Sequence, residues 1–142
     1  MTVGLFFGSF NPIHNGHLNI AREILKKTEI DSVWMVLSPK SPDKEEVLDK
    51  NDRYELMRLA LMSESKIVIS KVEFNLKTPN YTYLTLLELS KKHPNDNFIL
   101  SNYIYKYSIQ YRNHQIDLPT LSNSFFCPYQ IAPNIYQVSN FL

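Results

Sequence analysis

Glycine is nearly missing from this chain: among 142 residues only Gly4, Gly8 and Gly16 are glycine, and all fall within the first sixteen positions. Every later turn and helix end must form without the residue that reaches left-handed backbone most cheaply. Cysteine is scarcer still. Cys127 has no second cysteine to pair with, so an internal disulfide framework is excluded and a reduced, cytoplasmic setting is expected. An excess of one charge is also lacking, with 15 Lys+Arg against 14 Asp+Glu and a formal net charge of +1. No global field therefore favours nucleic acid or a membrane surface, and the expected partner is a small molecule. Apolar runs such as residues 33–37 fall far short of the roughly 20 residues that a membrane-spanning helix needs. No charged leader with an apolar stretch opens the chain, and no fixed-period repeat points to a solenoid or propeller.

What is present is enough apolar residue, 44% of the chain, to build a core, and the length suits a single domain over residues 1–142. The composition changes along it. Residues 101–142 carry only Lys106, Arg112 and Asp117 as charges, no glycine, and six of the nine tyrosines. That tail must bury its aromatic surface somewhere or aggregate. It shows no regular pattern, so irregular packing is expected of it, while residues 1–100 read clearly.

Residues 3–7 are a short apolar run ended by Gly8, the length of a buried strand. Residues 17–27 follow as an amphipathic helix, with Leu18, Ile20, Ala21, Ile24 and Leu25 at helical spacing. Residues 33–37 form a second strand, and two prolines between residues 38 and 44 mark an irregular loop. Asp49 is placed to cap a helix over residues 50–63 whose apolar face is Leu56, Leu59 and Ala60. Residues 67–69 are a third strand. A helix over residues 81–92 comes after the Thr78-Pro79 break, with Leu84 and Leu87, joined by Thr85 and Glu88, at helical offsets, and residues 98–100 begin a fourth strand. Trp34 reads as core, and His93 as a helix-end residue beside the last carbonyls. Strands alternating with helices imply right-handed crossovers: an α/β, Rossmann-like parallel sheet with helices on both faces.

The first strand-to-helix junction reads Gly8-Ser9-Phe10-Asn11-Pro12-Ile13-His14-Asn15-Gly16-His17. It lies at the carboxyl end of the first strand, where open α/β sheets bind ligands. The N–H groups of a helix start favour an anion, Gly8 permits close backbone approach, and His14 and His17 add two imidazoles. Phosphate is the natural guest. The loop has neither the Lys-Ser/Thr ending of a P-loop nor a three-glycine dinucleotide fingerprint. The alternatives are plain surface histidines or a metal pair, and a metal would need acidic or cysteine ligands that the neighbouring sequence does not offer.

This decapeptide resembles the signature of the nucleotidylyltransferase superfamily in its nicotinate mononucleotide adenylyltransferase form. The resemblance continues through Ser38-Pro39-Lys40-Ser41-Pro42-Asp43-Lys44, similar to a Ser-Pro-x-x-Pro-x-Lys loop, through Asp52-Arg53 with Leu59-Ala60, and through Pro79-Asn80-Tyr81-Thr82 with Thr85-Leu86. It implies His14 and His17 as catalytic phosphate contacts, and Gly8, Ser9, Phe10, Gly16 and Lys44 as the ATP phosphate-binding set. Tyr81 and Thr82 would lie beside the nicotinate group, and Arg53 would face phosphate with Lys44. The bland alternatives are solvated charges for Lys44 and Arg53, and a helix start capped by Thr82. After Leu100 the family pattern would continue into a glycine-rich Gly-Ser/Glu-Asp-Asn segment and later an Ile-Ser-Ser-Thr-x-Ile-Arg helix start, neither of which this chain has, so weak catalysis is expected.

The activity implied is transfer of AMP from ATP, with Mg²⁺, to nicotinate mononucleotide, giving the dinucleotide and pyrophosphate in NAD biosynthesis. Two other readings stay open: a nucleotidylyltransferase acting on another phosphorylated acceptor, and a nucleotide-binding remnant without catalysis.

Overall fold

A computed structural model describes residues 1–39, 48–77 and 81–100, together with the backbone of residues 129–132 and 135–137. Strands β1 (Thr2–Gly8), β2 (Ser32–Leu37), β3 (Ile67–Ser70) and β4 (Asn97–Leu100) alternate with helices α1 (Asn15–Lys27), α2 (Lys50–Ala60) and α3 (Thr82–Lys92). A 3₁₀ turn, Val72–Asn75, follows β3 and has no counterpart in the sequence reading. Two further strands, β5 (Tyr129–Ala132) and β6 (Ile135–Gln137), come from the tail, where no regular pattern is expected.

The sheet order is β3-β2-β1-β4-β6-β5. β1 pairs in parallel with β2 and β4, β2 with β3, and β4 with β6, while β5 pairs antiparallel with β6. The sheet is thus parallel across five strands, with one antiparallel edge. β1 lies at its middle, with its successor on one side and β4 on the other. Such a reversal of strand order opens a crevice beyond the carboxyl ends of the two strands.

Strand alternation divides the core between the two faces of the sheet. Phe6, Val33, Met35, Leu37 and Ile67 pack under α1 and α2 with Leu18, Ala21, Ile24, Met57 and Leu61. Val3, Leu5, Val36, Phe98 and Leu100 pack under α3 with Leu86 and Leu89. Each of these side chains larger than alanine contributes on the order of 1.5–3 kcal/mol when fully buried.

Two helices turn a different face inward from the one the apolar spacing predicts. α2 buries Arg53 and Met57, with Leu61 at its end, and leaves Leu56 40% and Leu59 56% exposed. Arg53, Met57 and Leu61 follow one another four residues apart, a true helical stripe; the arginine disguises it. α3 buries Thr85, one of the expected positions, but with Leu86 and Leu89, and leaves Leu84 exposed and Leu87 and Glu88 only part-buried. α2 also ends at Ala60, short of residue 63. Trp34 is half-buried, with its ring edge-on to His93 and Phe98. His93 closes α3 through its backbone N–H to Leu89 O, while its ring faces Trp34 and Asp96.

Candidate active site

α1 and α3 start at the carboxyl edge of the sheet, because each is the crossover that leaves a parallel strand. At α1 the connection from Gly8 to His17 is held tightly. His14 is the N-cap: its Nδ1 accepts from Gly16 N–H at 3.1 Å, while His17 Nδ1 accepts from His14 N–H at 3.3 Å. This is a reciprocal capping box built from two histidines in place of the usual hydroxyl and carboxylate. The imidazoles lie nearly face to face, 3.8 Å between centroids and 31° apart. With both Nδ1 atoms accepting, the ring proton of each uncharged imidazole sits on Nε2, on the side away from the backbone.

Part-burial, and next the neighbouring His14, lower the pKa of His17 from 6.5 to about 4. His17 is therefore a neutral N–H donor at physiological pH. An arriving phosphate would reverse that balance, since an anion beside an imidazole favours the charged form.

Glycine is required at two points of this loop. A Cβ on Gly8 would come within 2.9 Å of the Phe10 ring, and one on Gly16 within 2.9 Å of the His14 ring. Phe10 is itself unusual, a non-glycine residue at φ 43° with its ring 1% exposed. Edge-on contacts to Phe6 and His17, at 5.5 and 5.1 Å between centroids, hold it there. Backbone in this region costs on the order of 1–3 kcal/mol and persists only where packing over-determines it.

Arg53, expected beside phosphate or in solvent, is in neither place. It is 1% exposed, and its guanidinium donates to Leu48 O, Ser9 O, Ser38 O and Pro39 O at 2.6–2.8 Å. Burial lowers its pKa, with the nearby Asp49 carboxylate acting in the opposite sense. Asp49 caps α2 as expected, its Oδ1 accepting from Asn51 N–H at 2.8 Å.

At α3 the N-cap is Tyr81 and not Thr82, with no side-chain cap hydrogen bond. Tyr81 and Thr82 are both exposed at the helix start. Beneath them Thr85 Oγ1 donates to Glu73 Oε1 at 2.8 Å and lies 3.4 Å from Tyr81 O. Glu73 is 3% and Thr85 0% exposed. The 3₁₀ turn thereby ties the end of β3 to the start of α3. This pair and the Arg53 hub were not visible as functional features in the sequence; an arginine in step with Met57 and Leu61 is the signal that could have shown the second.

His14, Gly16 and His17 thus come together with Gly8, Ser9 and Phe10 around the α1 start, with Tyr81 and Thr82 at a second helix start on the same edge. Lys44 lies outside the described residues, as does most of the tail, including Lys106 and Arg112. Among the described residues no three His, Cys, Asp or Glu side chains converge as metal ligands, and no helix is long and apolar enough to cross a membrane.

The chain is similar to known proteins over most of its length. A family model described as cytidylyltransferase-like matches residues 5–120. The probable nicotinate-nucleotide adenylyltransferase of Cytophaga hutchinsonii is 43% identical over 102 residues, covering 70% of this chain and 53% of that one. That of Flavobacterium psychrophilum is 39% identical over 142 residues, covering 88% and 74%. A solved structure of the Plasmodium falciparum nicotinic acid mononucleotide adenylyltransferase complexed with NaAD superimposes with a TM-score of 0.59 at 25% identity, over 70% of this chain and 50% of that one. The chain spans about half the length of the Cytophaga and Plasmodium proteins.

Proposed function

The chain belongs to the cytidylyltransferase-like family, beside relatives named nicotinate-nucleotide adenylyltransferases, and from that premise we propose that it transfers AMP from ATP to nicotinate mononucleotide. The observation that carries this reading is the α1 start. Two stacked imidazoles with Nε2 turned outward flank a helix N-terminus at the point where strand order reverses.

The 5′-phosphate of the mononucleotide attacks the α-phosphorus of ATP; a P–O bond forms to the acceptor and the α–β bridge breaks, releasing pyrophosphate. The nucleophile is already ionised, so no general base is needed, and a neutral His17 is no obstacle. Catalysis rests on aligning two anions and on donors aimed at charge that grows on the α-phosphate and the leaving group. His14 and His17 supply side-chain donors there, and Ser9, Phe10 and the first turn of α1 supply backbone N–H groups. Mg²⁺ suits hard oxygen ligands and travels with the triphosphate; bound, it would neutralise charge on the phosphate oxygens. The nitrogen donors of His14 and His17 suit the anion and leave the metal to the substrate.

Tyr81 and Thr82 receive the nicotinate end, because they stand exposed at the other helix start on the same edge. We further read residues 1–142 as one domain, since β5 and β6 of the tail join the same sheet, and place it in the cytoplasm. The test is direct: the purified chain, ATP, Mg²⁺ and nicotinate mononucleotide should release pyrophosphate. Release with phosphopantetheine in place of the mononucleotide would point to another acceptor, and nucleotide binding without release to a non-catalytic protein.

A further inference from the structure

Arg53 is the largest side chain among the fully buried ones described, and none of its four hydrogen bonds reaches a carboxylate. All go to backbone carbonyls, and those carbonyls belong to separate stretches of chain. Nη1 holds Ser9 O at 2.6 Å and Ser38 O at 2.8 Å, Nη2 holds Pro39 O at 2.7 Å, and Nε holds Leu48 O at 2.8 Å. Ser9 belongs to the loop after β1. Ser38 and Pro39 are where the chain leaves β2, and Leu48 is where it approaches α2. Two more bonds close the same knot: Ser38 N–H to Gly8 O at 2.9 Å, and Leu48 N–H to Asn11 Oδ1 at 3.1 Å.

We propose that Arg53 is a positioning residue for the nucleotide site, setting the direction of the loop after β1 by drawing the Ser9 carbonyl inward and locking it to both ends of the β2–α2 connection. The inference rests on the adenylyl-transfer reading for what the loop serves. A trans peptide points its C=O and N–H in opposite directions. With Ser9 O pulled onto Arg53, the N–H of Phe10 is turned away from the guanidinium, and with Gly8 O bonded to Ser38, the N–H of Ser9 is turned away from β2. Both donors are thereby aimed by groups that touch no substrate.

The fork is what the position needs. A guanidinium offers five N–H donors in one rigid plane, whereas an ammonium is a point charge on a flexible stem and cannot bridge the same separated carbonyls. An apolar side chain here would leave those carbonyls without their donor, so Arg53 also contributes to stability, and the two roles are separated by reading activity and loop exchange beside the melting temperature. Met57, one turn further along the same stripe, shows that this face accepts an apolar side chain.

The experiment combines activity with amide exchange in Arg53→Lys and Arg53→Met, each assayed well below its melting temperature. Displacing a loop by about 1 Å is enough for kcat to fall on the order of 10- to 100-fold in both, with KM for ATP changed by less than roughly threefold. The Ser38 and Leu48 amides should exchange about tenfold faster or more, while Val33 and Met35 inside β2 keep their protection. A purely structural arginine would lower the melting temperature and leave kcat and the two loop amides unchanged in the folded variant; that result overturns the proposal. Full kcat in Arg53→Lys also overturns it, because charge and not the fork would then suffice. If neither variant folds, wild-type exchange decides: one hub requires Ser38 and Leu48 to open together at one rate, and unrelated rates refute it. Wild-type protein that releases no pyrophosphate sinks the catalytic reading, while the exchange data still decide whether Arg53 holds the loop.

Discussion

Two of the helix starts at the carboxyl edge of the sheet, those of α1 and α3, are built in opposite ways. The start of α1 is closed. His14 and His17 cap each other, Phe10 is wedged at positive φ under His17, and Arg53 pins the preceding carbonyl. The start of α3 is open, with no side-chain cap on Tyr81, exposed Tyr81 and Thr82, and, among the described residues, a hold from below through Glu73 and Thr85. The contrast teaches how one edge can serve two ends of a reaction. Charge stabilisation demands donors already fixed where charge will appear, since reorganising them during the reaction costs barrier height. Recognition of a ring can use exposed side chains that adjust to it.

The largest effect that would break this comparison is at the closed start. Changing His17→Ala should lower turnover on the order of 10²-fold, about 2.7 kcal/mol of lost charge stabilisation. It also removes packing against Phe10 and the acceptor of the His14 N–H, so the melting temperature should be read beside kcat. Turnover equal to wild type in a folded variant would remove His17 from the site.

Next in size is Gly8→Ala. The new methyl meets the Phe10 ring at 2.9 Å, and overpacking of this kind costs roughly 1–3 kcal/mol. Denaturant unfolding measures it. An unchanged midpoint would mean that Phe10 is not wedged as described.

The open start is probed from below by Thr85→Val, which keeps shape and removes the donor to the buried Glu73 carboxylate. Leaving that carboxylate short of one hydrogen bond should destabilise by about 1–3 kcal/mol; replacing Glu73→Gln in the same background should recover part of it, and no recovery would place the loss elsewhere. On the surface of that start, Thr82→Ala should raise KM for the mononucleotide several-fold, roughly 1 kcal/mol, and leave KM for ATP near wild type. Equal effects on both substrates would return Thr82 to a plain first residue of α3.

The smallest effect is on pH dependence. His17 binds its proton less readily in the folded chain, with a pKa of about 4 against 6.5, so the unfolded chain takes up more protons between those values. Its contribution to stability is present above pH 6.5 and is lost as pH falls from 6.5 through 4. Because the ring is only part-buried, the loss is on the order of 1 kcal/mol after allowing for solvent screening. A His17→Gln variant should show a flatter stability profile across that window, and an identical profile would contradict the lowered pKa.

Local patterns foretold much of the site and less of its support. The run up to Gly8, the His14-x-Gly16-His17 spacing and the Asp49 cap are local in sequence, and each lies where the pattern predicts. The inward faces of α2 and α3 are not local. An arginine inside an apolar stripe breaks the pattern that identifies the stripe, so Leu56 and Leu59 look like the core face although they are exposed. The tail strands escaped for a different reason: β5 and β6 are short, and what makes them strands is pairing with each other and with β4.

By itself the sequence determined the order of strands and helices through residue 100, the glycine-containing loop at the first junction and the pair of histidines in it, because each depends on neighbours within a turn or two. Only the tertiary structure decided that Arg53 turns inward and that Glu73 meets Thr85. It also decided that Phe10 takes left-handed backbone and that the pKa of His17 falls from 6.5 to about 4. Those outcomes depend on carbonyls, rings and burial contributed by distant segments, and the free energy of a buried charge or a strained backbone is defined only once those segments have come together.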